Sequence, residues 1–148
     1  MDTAVRELTD RLEIADLSAR YCYALDRNDW DEVRCCVSDE PVFAHPGGRV
    51  EGTHGIIARA RGALEALDPS QHLFGSVTVR IDPTGADAAD SRSYFQAHHI
   101  RAGTPAGDTY IIAGSYADRV VRTPSGWRIA ERVQAYLWRD GNRAVVAR

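Results

Sequence analysis

Apolar residues follow helical periods up to about residue 67 and alternating periods after it. In the first segment, roughly 4 to 26, they recur at spacings of four and three, which predicts one buried side of a helix. This side comprises Leu8, Leu12, Ala15, Ala19, Cys22 and Asp26, beside a second apolar stripe of Ile14, Leu17, Tyr21 and Leu25. The pattern therefore carries the carboxylate of Asp26 to the C-terminal end of an arc expected to be buried.

Two further helices are predicted before residue 67. Asp29, followed three residues later by Glu32, fits a capping box at the start of the second helix. The apolar positions of that helix are Trp30, Val33 and Val37. The segment PVFAHPGGRVEG then predicts a short hairpin that turns at its Pro-Gly-Gly. Thr53 is expected to cap a third helix that runs through Leu67 and is ended by the Asp-Pro that follows.

The remainder of the chain alternates as strands do. The predicted strands cover about 72–82, 88–101, 108–122 and 127–138, and the segments DPTG, GTPAG and TPSG between them have turn composition. Helices followed by a four-stranded antiparallel meander indicate an α+β fold, with residues 1–148 as a single domain. A long, twisted sheet folded around the first helix would leave a hollow for a small apolar ligand.

Composition narrows the class of protein. The net charge is −3, with both signs interspersed, so nothing in the charge pattern favours binding to nucleic acid or to a membrane surface. No run approaches the ~18 apolar residues that a membrane-spanning helix needs, and we expect no signal peptide at the acidic N-terminus. The cysteines are odd in number and form no CxxC motif, which favours a reduced, cytoplasmic location.

Asp26 needs a partner if it lies in a pocket, because an unpaired buried carboxylate neutralises. His72 is the best partner available, since it stands where the last helix gives way to the first long strand. A carboxylate that fixes the tautomer of an imidazole leaves the other ring nitrogen free to remove a proton. The alternatives are that Asp26 bonds backbone groups at the helix end and that His72 is a half-exposed residue at a strand start.

Arg132 lies in the last strand, within GWRIAERVQAYLW. Simple alternation places it on the same side as Gln134 and Tyr136, but does not say whether that side faces the hollow. If it does, Arg132 supplies a cation for a developing oxyanion; if not, it is a surface residue that forms ion pairs. Tyr21 is also open to two interpretations, because its hydroxyl could reach the pocket or its ring could simply pack.

The other histidines give weaker indications of a functional site. His98 and His99 are neighbours in a strand, so at most one of them can face the hollow. His45 and His54 lie in or beside the glycine-rich turn and are expected at the surface. No histidine or carboxylate spacing typical of a metal site occurs, so we expect no metal.

Taken together, these motifs resemble one family. A long first helix with an Asp near its end, a short helix within ALDRNDWDEV, a hairpin, a His that opens the sheet and the ending GSYADRVVRTPSGWRIAERV span nearly the whole chain. This order resembles the SnoaL-like branch of the nuclear transport factor 2-like superfamily. Its layout is most similar to scytalone dehydratase, bile acid 7α-dehydratase and lindane dehydrochlorinase. The resemblance implies a conical α+β barrel, in which a strongly curved, mostly antiparallel sheet wraps around the first helix.

The resemblance also implies a function. Asp26 and His72 match the Asp–His dyad of those enzymes, Arg132 matches a pocket arginine, and Tyr21 matches a pocket tyrosine. The expected activity is a lyase of the dehydratase type that needs no cofactor and acts on an apolar polycyclic or aromatic molecule. Alternatives are a polyketide cyclase, a double-bond isomerase, or a non-catalytic binding or assembly module. A homodimer or homotrimer is expected, and the expected substrate contacts are Tyr23, Phe43, His98, Gln134 and Tyr136.

Overall fold

Three α helices and six strands make up the part of the chain that the computed structural model describes, residues 2–85 and 87–147. In chain order, the elements are α1 (Thr3–Asp26), α2 (Trp30–Cys36), β1 (Val37–His45), β2 (Gly48–Glu51), α3 (Gly52–Leu64), β3 (Ser70–Ile81), β4 (Ala88–Ile100), β5 (Thr109–Thr123), β6 (Gly126–Gly141) and a short 3₁₀ helix (Arg143–Val145). None of the helices in these ranges is long and apolar enough to cross a bilayer.

The strands form one sheet in the order β2-β1-β6-β5-β4-β3. Its neighbours are antiparallel except β1 and β6, which are parallel. The predicted α+β class and the meander of the last four strands are confirmed. The sheet is strongly curved and wraps the helices without closing, so the expected barrel has two open edges, β2 and β3.

The buried face of α1 differs from the prediction in its N-terminal half. Leu8 and Leu12 were expected inside but are 63% and 71% exposed, whereas the second stripe, of Ile14, Leu17, Tyr21 and Leu25, forms the core. Asp10 lies one turn before Ile14 and is buried, because the Trp127 indole donates to it at 3.2 Å and Arg122 lies 2.6 Å from it. Packing of the second stripe against Trp127 and the sheet therefore decides which side of the helix is buried.

The helices α2 and α3 are also shorter than predicted. Asp29 caps α2 by accepting from the Glu32 backbone N–H at 3.0 Å, but the Glu32 side chain bonds Arg20 and does not close the box. Val37, expected in this helix, is the first residue of β1. The predicted cap of α3 is wrong, since the Thr53 hydroxyl donates to the Ser38 carbonyl at 3.4 Å.

The third helix begins and ends earlier than its sequence pattern suggested. Gly52 is its first residue and Leu64 its last, three residues short of the predicted end at Leu67. Gly52 has a φ of 75°, a backbone conformation that glycine adopts without strain, and so it can turn the chain from β2 directly into the helix.

Two irregularities in β6 interrupt its alternation. Between the pairs Val120–Ile129 and Arg119–Glu131, β6 holds one extra residue, Ala130. Trp127 and Ile129 therefore face the core, as does Arg132, although strict alternation would separate them. A second extra residue, Leu137, lies between Tyr136 and Trp138. The first bulge answers the question that alternation left open, because it brings Arg132 to the concave side.

Candidate active site

The side chains of Asp26 and His72 are in direct contact. His72 Nδ1 lies 2.7 Å from Asp26 Oδ1, and the His72 backbone N–H donates to Asp26 Oδ2 at 2.9 Å. The Ser70 hydroxyl donates to Asp26 Oδ1 at 3.3 Å. Both side chains are largely buried, with exposures of 18% for Asp26 and 7% for His72. The carboxylate at the end of α1 is therefore satisfied by the first residues of β3.

The contact fixes the chemistry of both groups. Burial alone would raise the pKa of Asp26, but the hydrogen bonds from His72 and Ser70 outweigh it and hold that pKa below its usual value. A carboxylate can only accept, so His72 Nδ1 carries the hydrogen and Nε2 is left with a lone pair. Nε2 has no hydrogen-bond partner within residues 2–85 and 87–147.

A cavity of about 230 Å³ opens beside His72, between the helices and the concave face of the sheet. Most of its wall is apolar or aromatic. Its polar, basic and aromatic lining includes Tyr21, Phe43, His45, Arg59, His72, His99, Tyr116, Arg132, Gln134 and Tyr136. Such a chamber, apolar with a few convergent polar groups, is typical of small-molecule sites.

His99 also lies in this wall, and its ring meets that of His72 edge to face at 5.8 Å between centroids. Its Nδ1 lies 3.3 Å from the Tyr110 carbonyl, which can only accept, so Nδ1 donates and Nε2 is the free acceptor. Burial, with the nearby His72, lowers the pKa of His99 to about 4. His99 is therefore neutral at physiological pH.

Arg132 is held by an acidic residue that sequence reasoning missed. Its Nε and Nη2 donate to the two carboxylate oxygens of Asp118 at 2.8 and 2.7 Å, across the β5–β6 pair. Burial alone would lower the pKa of Arg132, but the ion pair with Asp118 raises it above its usual value. The guanidinium carbon lies 3.9 Å from the centre of the Tyr116 ring and 4.6 Å from that of Tyr21.

One nitrogen of this guanidinium has no partner. Arg132 Nη1 is buried and makes no hydrogen bond with the residues that the structure describes. A buried donor without an acceptor costs roughly 1–3 kcal/mol, so a ligand oxygen in the cavity would be favoured there. Because Asp118 balances the charge, Arg132 offers a directed N–H donor and not a net positive charge.

Two of the predicted contacts lie elsewhere. Tyr23 is 61% exposed beneath the Arg27 guanidinium, because it points away from the sheet on the outer side of α1. His98 was expected in the pocket, but its neighbour His99 takes that place and the alternation of β4 turns His98 to the other face. The other predicted site residues line the cavity, except Asp26, which lies behind His72.

Several residues of the site escaped the sequence analysis. Asp118 lies opposite Arg132 only because β6 holds the extra residue Ala130, so pairing the two strands in plain register from the turn would not have found it. His45 was expected at the surface and is half-buried in the wall of the cavity with Arg59. No helical or alternating pattern marks His45 or Arg59 as a site residue, because β1 and α3 meet only in the folded chain.

Comparison with known proteins agrees with this architecture. A model of the SnoaL-like domain matches residues 6–133. The chain belongs to the SnoaL-like domain family. A relative, an uncharacterized protein of Mycobacterium tuberculosis, is 31% identical over 134 residues, which are 88% of each chain.

Solved structures share the fold at lower identity. A candidate scytalone dehydratase from Novosphingobium aromaticivorans superposes with a TM-score of 0.85 and 18% identity, covering 95% of this chain and 93% of that one. A hexachlorocyclohexane dehydrochlorinase, LinA type 2, gives a TM-score of 0.78 and 16% identity, covering 93% and 92%. These likenesses establish the nuclear transport factor 2-like fold of this SnoaL-like chain.

Proposed function

We propose that this SnoaL-like protein is a cofactor-independent lyase of the dehydratase type, acting on an apolar polycyclic or aromatic small molecule. The observation that carries the proposal is the 2.7 Å contact between Asp26 and His72 at the wall of a mostly apolar cavity. Two proteins of the same fold have the names of elimination enzymes, a dehydratase and a dehydrochlorinase, which is consistent with this chemistry.

In the proposed reaction, His72 Nε2 removes a proton from a carbon next to a carbonyl group. The electron pair of that C–H bond becomes a carbon–carbon double bond, and the C–O bond to the leaving hydroxyl breaks. The departing oxygen takes the proton from the His72 imidazolium and leaves as water, so atoms and charge balance. Asp26 holds the imidazole in the required tautomer and stabilises its cation.

Arg132 and Tyr21 are proposed to stabilise negative charge on the substrate oxygen. The unpartnered Arg132 Nη1 supplies one hydrogen-bond donor. Burial raises the pKa of Tyr21, although Arg132 opposes this, so the phenol remains a donor at neutral pH. Phe43, Gln134 and Tyr136 complete the wall against which an aromatic body would pack.

The same proposal places the protein in the reducing cytoplasm. Cys22, Cys35 and Cys36 are all free thiols, which supports a reduced setting. Burial raises the pKa of Cys22 to about 11 and that of Cys36 to about 12, so neither thiol is a nucleophile for this chemistry.

The test is His72→Gln, assayed against a panel of aromatic and steroid-like hydroxyketones. We expect elimination to fall about 10²–10⁴-fold, the usual contribution of a general base. Binding should stay within about tenfold, since glutamine keeps the volume and can still donate to Asp26. His54→Gln is the matched control, because His54 is exposed and outside the cavity. Turnover by His72→Gln at the wild-type rate would contradict the lyase and favour a binding module.

A further inference from the structure

The charged residues in the cavity wall are all basic. Among the described side chains that line it, two are arginines, three are histidines and none is a carboxylate, in a chain whose net charge is −3. The basic residues are Arg59, Arg132, His45, His72 and His99. Such a wall favours a ligand that is rich in acceptors or carries negative charge.

Four of these five basic groups are neutral or already balanced. His72 contacts Asp26, and Arg132 is neutralised by the bidentate pair with Asp118. Burial lowers the pKa of His99 to about 4, and burial with the nearby Arg59 lowers that of His45, so both rings are uncharged at neutral pH. Arg59 is therefore the cation among these five residues whose charge is not yet balanced.

Arg59 stands at the mouth of the cavity, since it lines the cavity and is also exposed to solvent. Its Nε donates to His45 Nε2 at 2.8 Å, and it forms no ion pair with any carboxylate of the described chain. With Nε occupied, the two Nη groups remain for a ligand. Two neighbouring N–H donors match the two oxygens of a carboxylate.

We infer that Arg59 is a carboxylate-binding position at the cavity mouth, and that the substrate is an amphiphilic acid. Its apolar ring system occupies the cavity, a carbonyl or hydroxyl oxygen reaches Arg132 Nη1, and its carboxylate lies at Arg59. This substrate class rests on the proposed lyase. The carboxylate position itself can be tested without turnover.

The test compares two ligands that cannot eliminate water, 6-hydroxy-2-naphthoate and its neutral methyl ester. Naphthalene fluorescence gives both dissociation constants for the wild type, Arg59→Gln, Arg59→Lys and Arg61→Gln. Arg61 is the matched control, because it lies on the same helix, carries the same charge and is outside the cavity wall. Circular dichroism verifies that each variant is folded.

We expect the wild type to bind the acid about fivefold more tightly than the ester, as charge-assisted hydrogen bonds at a partly exposed site allow. The preference should vanish in Arg59→Gln, persist in Arg61→Gln and in part in Arg59→Lys, and shrink with added salt. Equal affinities in the wild type, no binding of the acid at millimolar concentration, or a preference retained by Arg59→Gln would overturn the inference.

The lyase and the carboxylate position at Arg59 are contradicted by different results. An Arg59-dependent preference for the acid in a protein that eliminates water from none of the hydroxyketones would leave the carboxylate position standing and contradict the lyase. Elimination that depends on His72, together with equal binding of acid and ester, would contradict the carboxylate position alone.

Discussion

Buried charge in this protein is matched residue by residue. Asp26 lies at the inner end of α1 because the imidazole and backbone of His72 and the Ser70 hydroxyl all donate to it. Arg132 is inside because Asp118 faces it on the adjacent strand. Asp26 was visible in the sequence as a carboxylate at an apolar position, whereas alternation left open which side of the sheet Arg132 faces. The partner is set by the fold, although the His72 partner of Asp26 was also predictable from its place at the strand start.

At the scale of residues, the buried His99 predicts how the free energy of unfolding depends on pH. Its pKa is lowered from the ordinary 6.5 to about 4 in the folded protein, so between those values the unfolded chain binds more protons. Stability is then fully present above pH 6.5 and falls as the pH drops towards 4, by about 3 kcal/mol at most. Urea unfolding at several pH values between 4 and 7.5 measures this loss.

In His99→Gln, we expect this part of the pH dependence to disappear, because the amide does not titrate. His54→Gln should keep the wild-type slope, since His54 is exposed. The interpretation is wrong if the unfolding free energies of the wild type and His99→Gln run parallel from pH 7.5 to pH 4.

At the scale of elements, the regular parts of the chain were predictable and the irregular parts were not. The four strands of the meander were located to within three residues, because alternation and turn composition are local signals. The orientation of α1 was not, since two apolar stripes compete and only the packing against Trp127 and the sheet selects one. The bulges of β6 were invisible for the same reason, as an extra residue is defined by the partner strand.

The bulge beside Gly114 gives a second prediction. A Cβ at this position would clash with the Ala135 backbone carbonyl and would lie 2.8 Å from the Phe95 ring, which stacks on Tyr116. Backbone atoms cannot move aside as a flexible side chain can. We therefore expect Gly114→Ala to lower the free energy of unfolding by about 1–3 kcal/mol, measured by urea denaturation.

Gly75→Ala is the control, because Gly75 lies in the same sheet and a Cβ there meets nothing within 4 Å. Its free energy of unfolding should stay within about 0.5 kcal/mol of the wild type. Equal stability of the two variants would show that the sheet can relax around Gly114.

At the scale of the whole molecule, the convex face of the sheet carries several large, exposed apolar side chains. Five large side chains there are between 48% and 62% exposed: Leu73, Tyr94, Val133, Leu137 and Trp138. Leu73, Tyr94 and Val133 alternate along their strands with residues that face the cavity or the core, and the bulge at Leu137 places Leu137 and Trp138 side by side. An apolar group of this kind is typical of an interface. The homodimer or homotrimer stays a prediction, now with a named surface.

Sedimentation velocity tests whether the convex face is the interface of a homodimer or homotrimer. We expect the wild type to sediment as two or three copies at micromolar concentration and Trp138→Glu to sediment as a monomer, because a charge in an apolar interface is costly. Leu12→Glu is the control, since Leu12 is 71% exposed on α1, away from the sheet face. A monomeric wild type, or an unaltered assembly in Trp138→Glu, would rule out this face as the interface.

The extra residue in β6 at Ala130 has a consequence for how such proteins diverge. Upstream of it the strand packs the core, and downstream it offers Arg132, Gln134 and Tyr136 to a ligand. If the same residues paired without this bulge, plain alternation from Ile129 would present Glu131, Val133 and Ala135 instead. The bulge, as much as the choice of side chains, thus decides which residues of this strand face a ligand, and the gain or loss of a bulge would be a route to new ligand preference.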